Sequence, residues 1–194
     1  MTKLKVGLIV EDDTDYEAVR EIIHRVLGED IGLKKWSPSN GGCSTLRKKL
    51  TATINTLLDK GCNVFIIIHD LDRNPTNGSL KDEVKLRTSL EQSILKFHNI
   101  EKHICIPIEE LEAWFWSDPK VIKHVGRGKG EASNNPHLLP KPKEALINLS
   151  KGENRKPRYS TNMNVELAKM LDLDLCSQRC PSFKKLQDFL KDLQ

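Results

Sequence analysis

The chain has 194 residues, 38% hydrophobic and 30% charged, enough for one core or for one core plus a small appended segment. Its longest apolar runs, such as Val64-Phe65-Ile66-Ile67-Ile68, are strand-sized, which argues against a membrane span. Net charge is only +4, but residues 119–161 hold ten Lys or Arg against three acids, leaving about −3 for the rest.

Taken in chain order, residues 4–11 read as a buried strand that ends on Glu11. Thr14 or Asp15 can cap the helix that follows, Asp13 reads as another capping acid, and Gly28 is its stop. A short strand is expected over Ile31–Trp36, then a loop at 37–42. A helix carrying Leu46, Leu50, Ile54, Leu57 and Leu58 closes at Gly61. Asn63–Ile68 is apolar on both faces, as a central parallel strand should be, and runs into Asp70 and Asp72. Helix is expected over Leu80–Phe97, strand over His103–Ile108, and helix again through Leu111, Phe115 and Trp116. Past residue 119 the pattern breaks into a Gly-, Asn- and Pro-rich stretch at 126–142, followed by two or three short helices. The alternation predicts an α/β fold, an open and mainly parallel sheet of about four strands with flanking helices, plus a small helical C-terminal part. Residues 1–118 would form the catalytic domain, and 119–194 a basic loop with short helices packing on it.

Ligand sites in open α/β sheets lie outside the carboxyl ends of the strands. Acids arrive there from three strands: Glu11 with Asp12, Asp13 and Asp15; Asp70 and Asp72; and Glu109, Glu110 and Glu112. In an extended Asp-x-Asp both carboxylates project to one side, and Glu11 joins them if the first and third strands are neighbours. Such a set needs a cation, and hard oxygen donors suit Mg²⁺ or Mn²⁺, with His69 the only nitrogen nearby. Some of these acids can instead cap helices, and Trp114 reads as helix packing. The five cysteines, at 43, 62, 105, 176 and 180, have no repeated spacing. Together with the lack of an apolar leader after Met1, they fit a reducing cytoplasm.

The motifs Val10-Glu11-Asp12-Asp13-Thr14-Asp15 and His69-Asp70-Leu71-Asp72-Arg73 resemble those of the Toprim domain of topoisomerases, primases and OLD nucleases, itself a Rossmann-like fold. Ile106-Pro107-Ile108-Glu109-Glu110-Leu111-Glu112-Ala113-Trp114 is similar to an acidic segment of small Toprim-related proteins, as is Arg179-Cys180-Pro181-Ser182-Phe183. The resemblance implies a nuclease with Glu11, Asp70 and Asp72 as catalytic metal ligands, and Asp15, Glu110 and Glu112 as further ligands. It departs from the family pattern at Asp12, where glycine is usual, and at Asp15, which is shorter than the usual glutamate. It also implies a phage-defence or mobile-element setting with an ATPase partner protein. Arg73, Lys129, Arg155, Lys156 and Arg158 are the cations expected near the phosphates of a nucleic acid, and Gly126–Gly130 is expected to be a flexible loop contacting backbone. Two alternatives remain open: a receiver-type phosphoacceptor domain using Asp70, and a non-catalytic partner-binding module.

Overall fold

A computed structural model describes residues 4–37, 42–74, 76–151 and 156–194. Four parallel strands, β1 (Lys5–Ile9), β2 (Gly32–Trp36), β3 (Val64–Ile68) and β4 (Glu101–Cys105), form one open sheet in the order β2-β1-β3-β4. Helices α1 (Asp13–Leu27), α2 (Gly42–Asp59) and α3 (Glu83–Ser93) make the crossovers. The fold is Rossmann-like α/β, as the alternation predicts.

The strand period of two divides the core into two layers. Val64, Ile66 and Ile68 face one side of β3, where they meet Val6 and Leu8 of β1, Val19 and Ile23 of α1, and the C-terminal helices. Phe65 and Ile67 face the other side, onto Leu46, Leu50, Ile54 and Leu57 of α2 and Leu90 of α3. Gly7 of β1 has a packing reason: a Cβ there would lie 2.9 Å from the Phe65 ring.

Beyond residue 118 the described residues form α4 (Pro119–Val125) ahead of the Gly-, Asn- and Pro-rich stretch and then four helices where two or three were expected: α5 (Pro142–Ser150), α6 (Asn164–Met170), α7 (Leu173–Arg179) and α8 (Pro181–Asp192). Prolines sit in the first turns of α4, α5 and α8, where the missing N–H is no loss. Asp118 and Asp172 cap α4 and α7 by accepting the N–H groups of Lys120 and Leu175. These helices complete the first core layer: Leu167, Phe183, Leu186 and Leu190 are fully buried in it. Arg25 of α1 donates from Nη1 to the carbonyls of Ala168 and Leu171 at 2.6 and 2.7 Å, at the C-terminal end of α6. Trp114 is buried, edge-on to Phe183 of α8 with its indole N–H on Ser182 Oγ.

Two expected helices differ. The one expected from Leu80 starts only at Glu83, because Leu80 pairs antiparallel with Arg73, beside an Asn74 N–H that donates to the Ser79 carbonyl. Asp82 then supplies the cap, and the helix gives way at Ile94 to a 3-10 turn, Leu95–Phe97. Leu111–Ser117 is likewise a 3-10 segment rather than an α-helix. No helix among the described residues is long and apolar enough to cross a membrane.

Candidate metal centre at the strand ends

β1 and β3 are hydrogen-bonded neighbours with Ile9 opposite Ile67, so two residues further on Glu11 stands beside His69 and Asp70. The Asp70 N–H donates to Glu11 Oε1 at 2.8 Å. His69 is buried, with Nδ1 2.9 Å from the Asp70 carbonyl and 3.4 Å from Glu11 Oε1. Pairing between the third and fourth chain segments continues past the strands: His69 N–H donates to the Cys105 carbonyl, Leu71 N–H to Pro107 and Glu109 N–H to Leu71. This holds the Asp-x-Asp extended, with Leu71 buried between its two acids. Asp12, rather than Thr14 or Asp15, caps α1, accepting from the N–H groups of both. Asp13 is no cap either: it pairs with Lys35 Nζ at 2.6 Å, and this pair with the Ser37 hydroxyl holds its carboxyl below the usual range.

Five carboxylates share one neighbourhood. Burial pushes the Asp70 carboxyl well above its ordinary value, and the charges of Glu11, Asp15, Glu112 and Glu110 push it further. Burial likewise raises Asp15, which is 8% exposed, with Asp12, Glu112 and Glu11 adding to the effect and Lys143 opposing it. Asp72 carries its Oδ2 2.9 Å from Lys81 Nζ.

The third acid group divides into different tasks. Glu109, at φ 65°, accepts the Arg73 guanidinium on one oxygen and the Lys141 N–H, at 2.8 Å, on the other. Arg73 also donates to the Gly78 carbonyl, so this expected phosphate contact is part of an internal clamp. Glu110 accepts the Lys143 N–H at 3.0 Å and lies 3.3 Å from its ammonium. Glu112, 1% exposed, accepts from the Tyr159 hydroxyl and from Asn164 Nδ2, both at 3.2 Å, and is 3.8 Å from Lys143 Nζ. Burial works against charge on Lys143, yet Glu112 and Glu110 hold its ammonium above the ordinary lysine range. Burial and then Glu112 raise the Tyr159 hydroxyl.

Sequence reasoning named the acids but missed Lys143, Tyr159 and Asn164, whose only signal was membership of the basic stretch or nearness to it. Of the other expected phosphate contacts, Lys156 and Arg158 are exposed just ahead of Tyr159, and Arg155 lies outside the described residues. Lys129 belongs to a tight turn rather than a flexible loop: its N–H donates to the Gly126 carbonyl at 3.0 Å, and a Cβ on Gly126 would lie 2.3 Å from the Lys129 carbonyl oxygen. Cys62, Cys105, Cys176 and Cys180 are free and buried; the Cys43 side chain lies outside the description.

As placed, no group of three or more His, Cys, Asp or Glu among the described residues is set to hold a metal ion. The donor chemistry nonetheless fits a hard divalent cation. Glu11 and Asp70, both half-buried, and buried Asp15 are crowded carboxylates whose mutual repulsion one such ion would relieve. Glu110 and Glu112 already have donors from Lys143, Tyr159 and Asn164.

Fold and site together define a Rossmann-like α/β protein with a carboxylate-rich pocket at the carboxyl ends of a four-stranded parallel sheet. The chain belongs to the family described as Domain of unknown function (DUF4276), whose model matches residues 10–191 and so takes in every one of these acids. No curated protein and no solved structure matches it.

Proposed function

We propose that the protein is a Toprim-like nuclease that hydrolyses phosphodiester bonds in DNA or RNA with the help of Mg²⁺ or Mn²⁺. The observation that carries this reading is the convergence of half-buried Glu11 and Asp70, from two adjacent strand ends, with buried Asp15 of α1, and with Asp15 and Asp70 held above the ordinary carboxyl range by burial and by the neighbouring acids. Glu11, Asp70 and Asp15 would hold the ion. When bound, it would polarise the phosphate and lower the pKa of an attacking water. The chain's own part is orientation and charge. The Asp70 N–H fixes the Glu11 carboxylate, so that Glu11 is positioned to take a proton from water. Lys143 offsets the two outer glutamates, which lets an anionic substrate approach an otherwise negative pocket.

A phosphoacceptor domain would need a lysine delivered to Asp70 from a strand end. Lys143 comes instead from α5 and lies on Glu110 and Glu112, which favours the nuclease reading. The test is incubation with supercoiled plasmid and with labelled RNA in EDTA, Mg²⁺ or Mn²⁺. Cleavage should require the metal and fall by roughly two orders of magnitude or more in Asp70→Asn. Cleavage that persists in EDTA or in the variant, or that occurs with neither nucleic acid, would overturn the proposal.

A further inference from the structure

Beside the carboxylates a cleft of about 560 Å³ opens between the N-terminal parts of α2 and α3, and Asp70 and Asp72 form part of its wall. Three cations line it: Arg47 from α2, Lys85 from α3, and Lys81 just ahead of α3. Lys81 is paired with Asp72, whereas Arg47 and Lys85 are exposed and enter none of the ion pairs found among the described residues. Asp82 also lines the cleft, but its carboxylate is turned to the Lys85 N–H as the cap of α3.

Two further features favour an anion. α2 is 18 residues long with no acid in its first turn, and its exposed Ser44 lies on the cleft wall. The positive end of such a helix dipole attracts phosphate. His69 also lines the cleft and is only 3% exposed. Its Nδ1 is engaged at the Asp70 carbonyl, while its Nε2 has no hydrogen-bond partner among the described residues. A buried polar atom left in this way is one that a bound ligand or its water can satisfy.

We infer that this cleft takes the sugar-phosphate backbone of a single nucleic-acid strand, with Arg47 and Lys85 as its phosphate contacts. This rests on the nuclease reading for the chemistry next door, but not for the binding itself. The cleft has the size of a small-ligand site, about 300–1,000 Å³, which admits one or two nucleotides of a single strand but not the width of a double helix. The walls supply what single-strand binding uses: cations spaced along a groove that leads to the reactive groups. The phosphate-binding role expected of Arg73 passes to these residues, since Arg73 is bound to Glu109.

Fluorescence anisotropy in EDTA, with labelled oligonucleotides of about 12 nucleotides, measures this binding without cleavage. Single-stranded DNA, single-stranded RNA and a blunt duplex form the three arms. Wild type should bind at least one single strand about tenfold or more tightly than the duplex. The double variant Arg47→Ala, Lys85→Ala should weaken that binding about tenfold or more, and flatten the plot of log affinity against log salt by about 0.7 for each lost contact. Lys184→Ala, Lys191→Ala on α8, with the same loss of charge, should stay within about twofold of wild type. A folded Arg47/Lys85 variant that binds like wild type, preference for the duplex, or no binding by wild type would overturn the inference. Metal-dependent cleavage unaffected by that variant would remove the cleft and leave the nuclease reading standing. Cleft-dependent binding without any cleavage would do the reverse.

Discussion

Asp70 is repelled by four other acids and partly enclosed, so in the absence of a cation its charge opposes the fold. A carboxyl whose value is raised in the folded state contributes stability that is complete below the unfolded value, near 3.8, and is lost as pH rises through the folded value. Metal-free protein should therefore gain from Asp70→Asn at about pH 8 and much less at about pH 5. A relief of about 1 kcal/mol would raise the melting temperature by roughly 2–4 °C. Thermal unfolding in EDTA at the two pH values checks this, and a wild type as stable as the variant at the higher pH would contradict it. Glu112 is the contrasting case, for it is more deeply buried but satisfied by Tyr159 and Asn164. Its acid was readable in the sequence. The two residues that satisfy it lie 47 and 52 positions away, and no local pattern announces a contact of that span.

At the scale of elements, β3 and, from Val6 onward, β1 were legible because both are buried on two faces, and a run without polar residues has few other readings. α3 was misread at its start because Leu80 fits the helical spacing but is held by Arg73 in an antiparallel pair that overrides local pattern. Three of the C-terminal helices had their signals in plain view, α4 and α8 as an Asp or Cys followed by Pro and α7 as an N-cap Asp, but α4 and α7 are only seven residues long, too short for periodicity to register. α8 carries a testable consequence. His103 of β4 stacks on Phe189 of α8 at 5.0 Å, and burial, followed by Arg87 and Lys185, lowers its value to about 4. A histidine lowered in this way contributes stability that is present above its unfolded value of 6.5 and lost as pH falls through about 4. His103→Phe keeps a ring against Phe189 and removes the proton site. It should flatten the pH dependence of urea unfolding between those limits, and an unchanged slope would show that His103 does not titrate against the fold.

For the molecule as a whole, the segregation of charge along the chain has a partly internal use. The basic stretch 119–161 supplies Lys143 to Glu110 and Glu112, so part of its excess charge neutralises the acids gathered at the strand ends. The C-terminal helices complete one face of the sheet and, through Tyr159 and Asn164, the outer wall of the pocket. Fold and candidate centre are thus one construction: the parallel sheet brings Glu11 to Asp70, and the rest of the chain encloses them. The central claim, that this enclosure exists to hold a divalent ion, is tested most directly by calorimetric titration of Mn²⁺ and Mg²⁺ into wild type, Asp70→Asn and Glu11→Gln at about pH 7.5. The account predicts saturable binding by wild type that is lost, or weakened about tenfold or more, in both variants. Wild type that takes up neither ion, or variants that bind as wild type does, would contradict it.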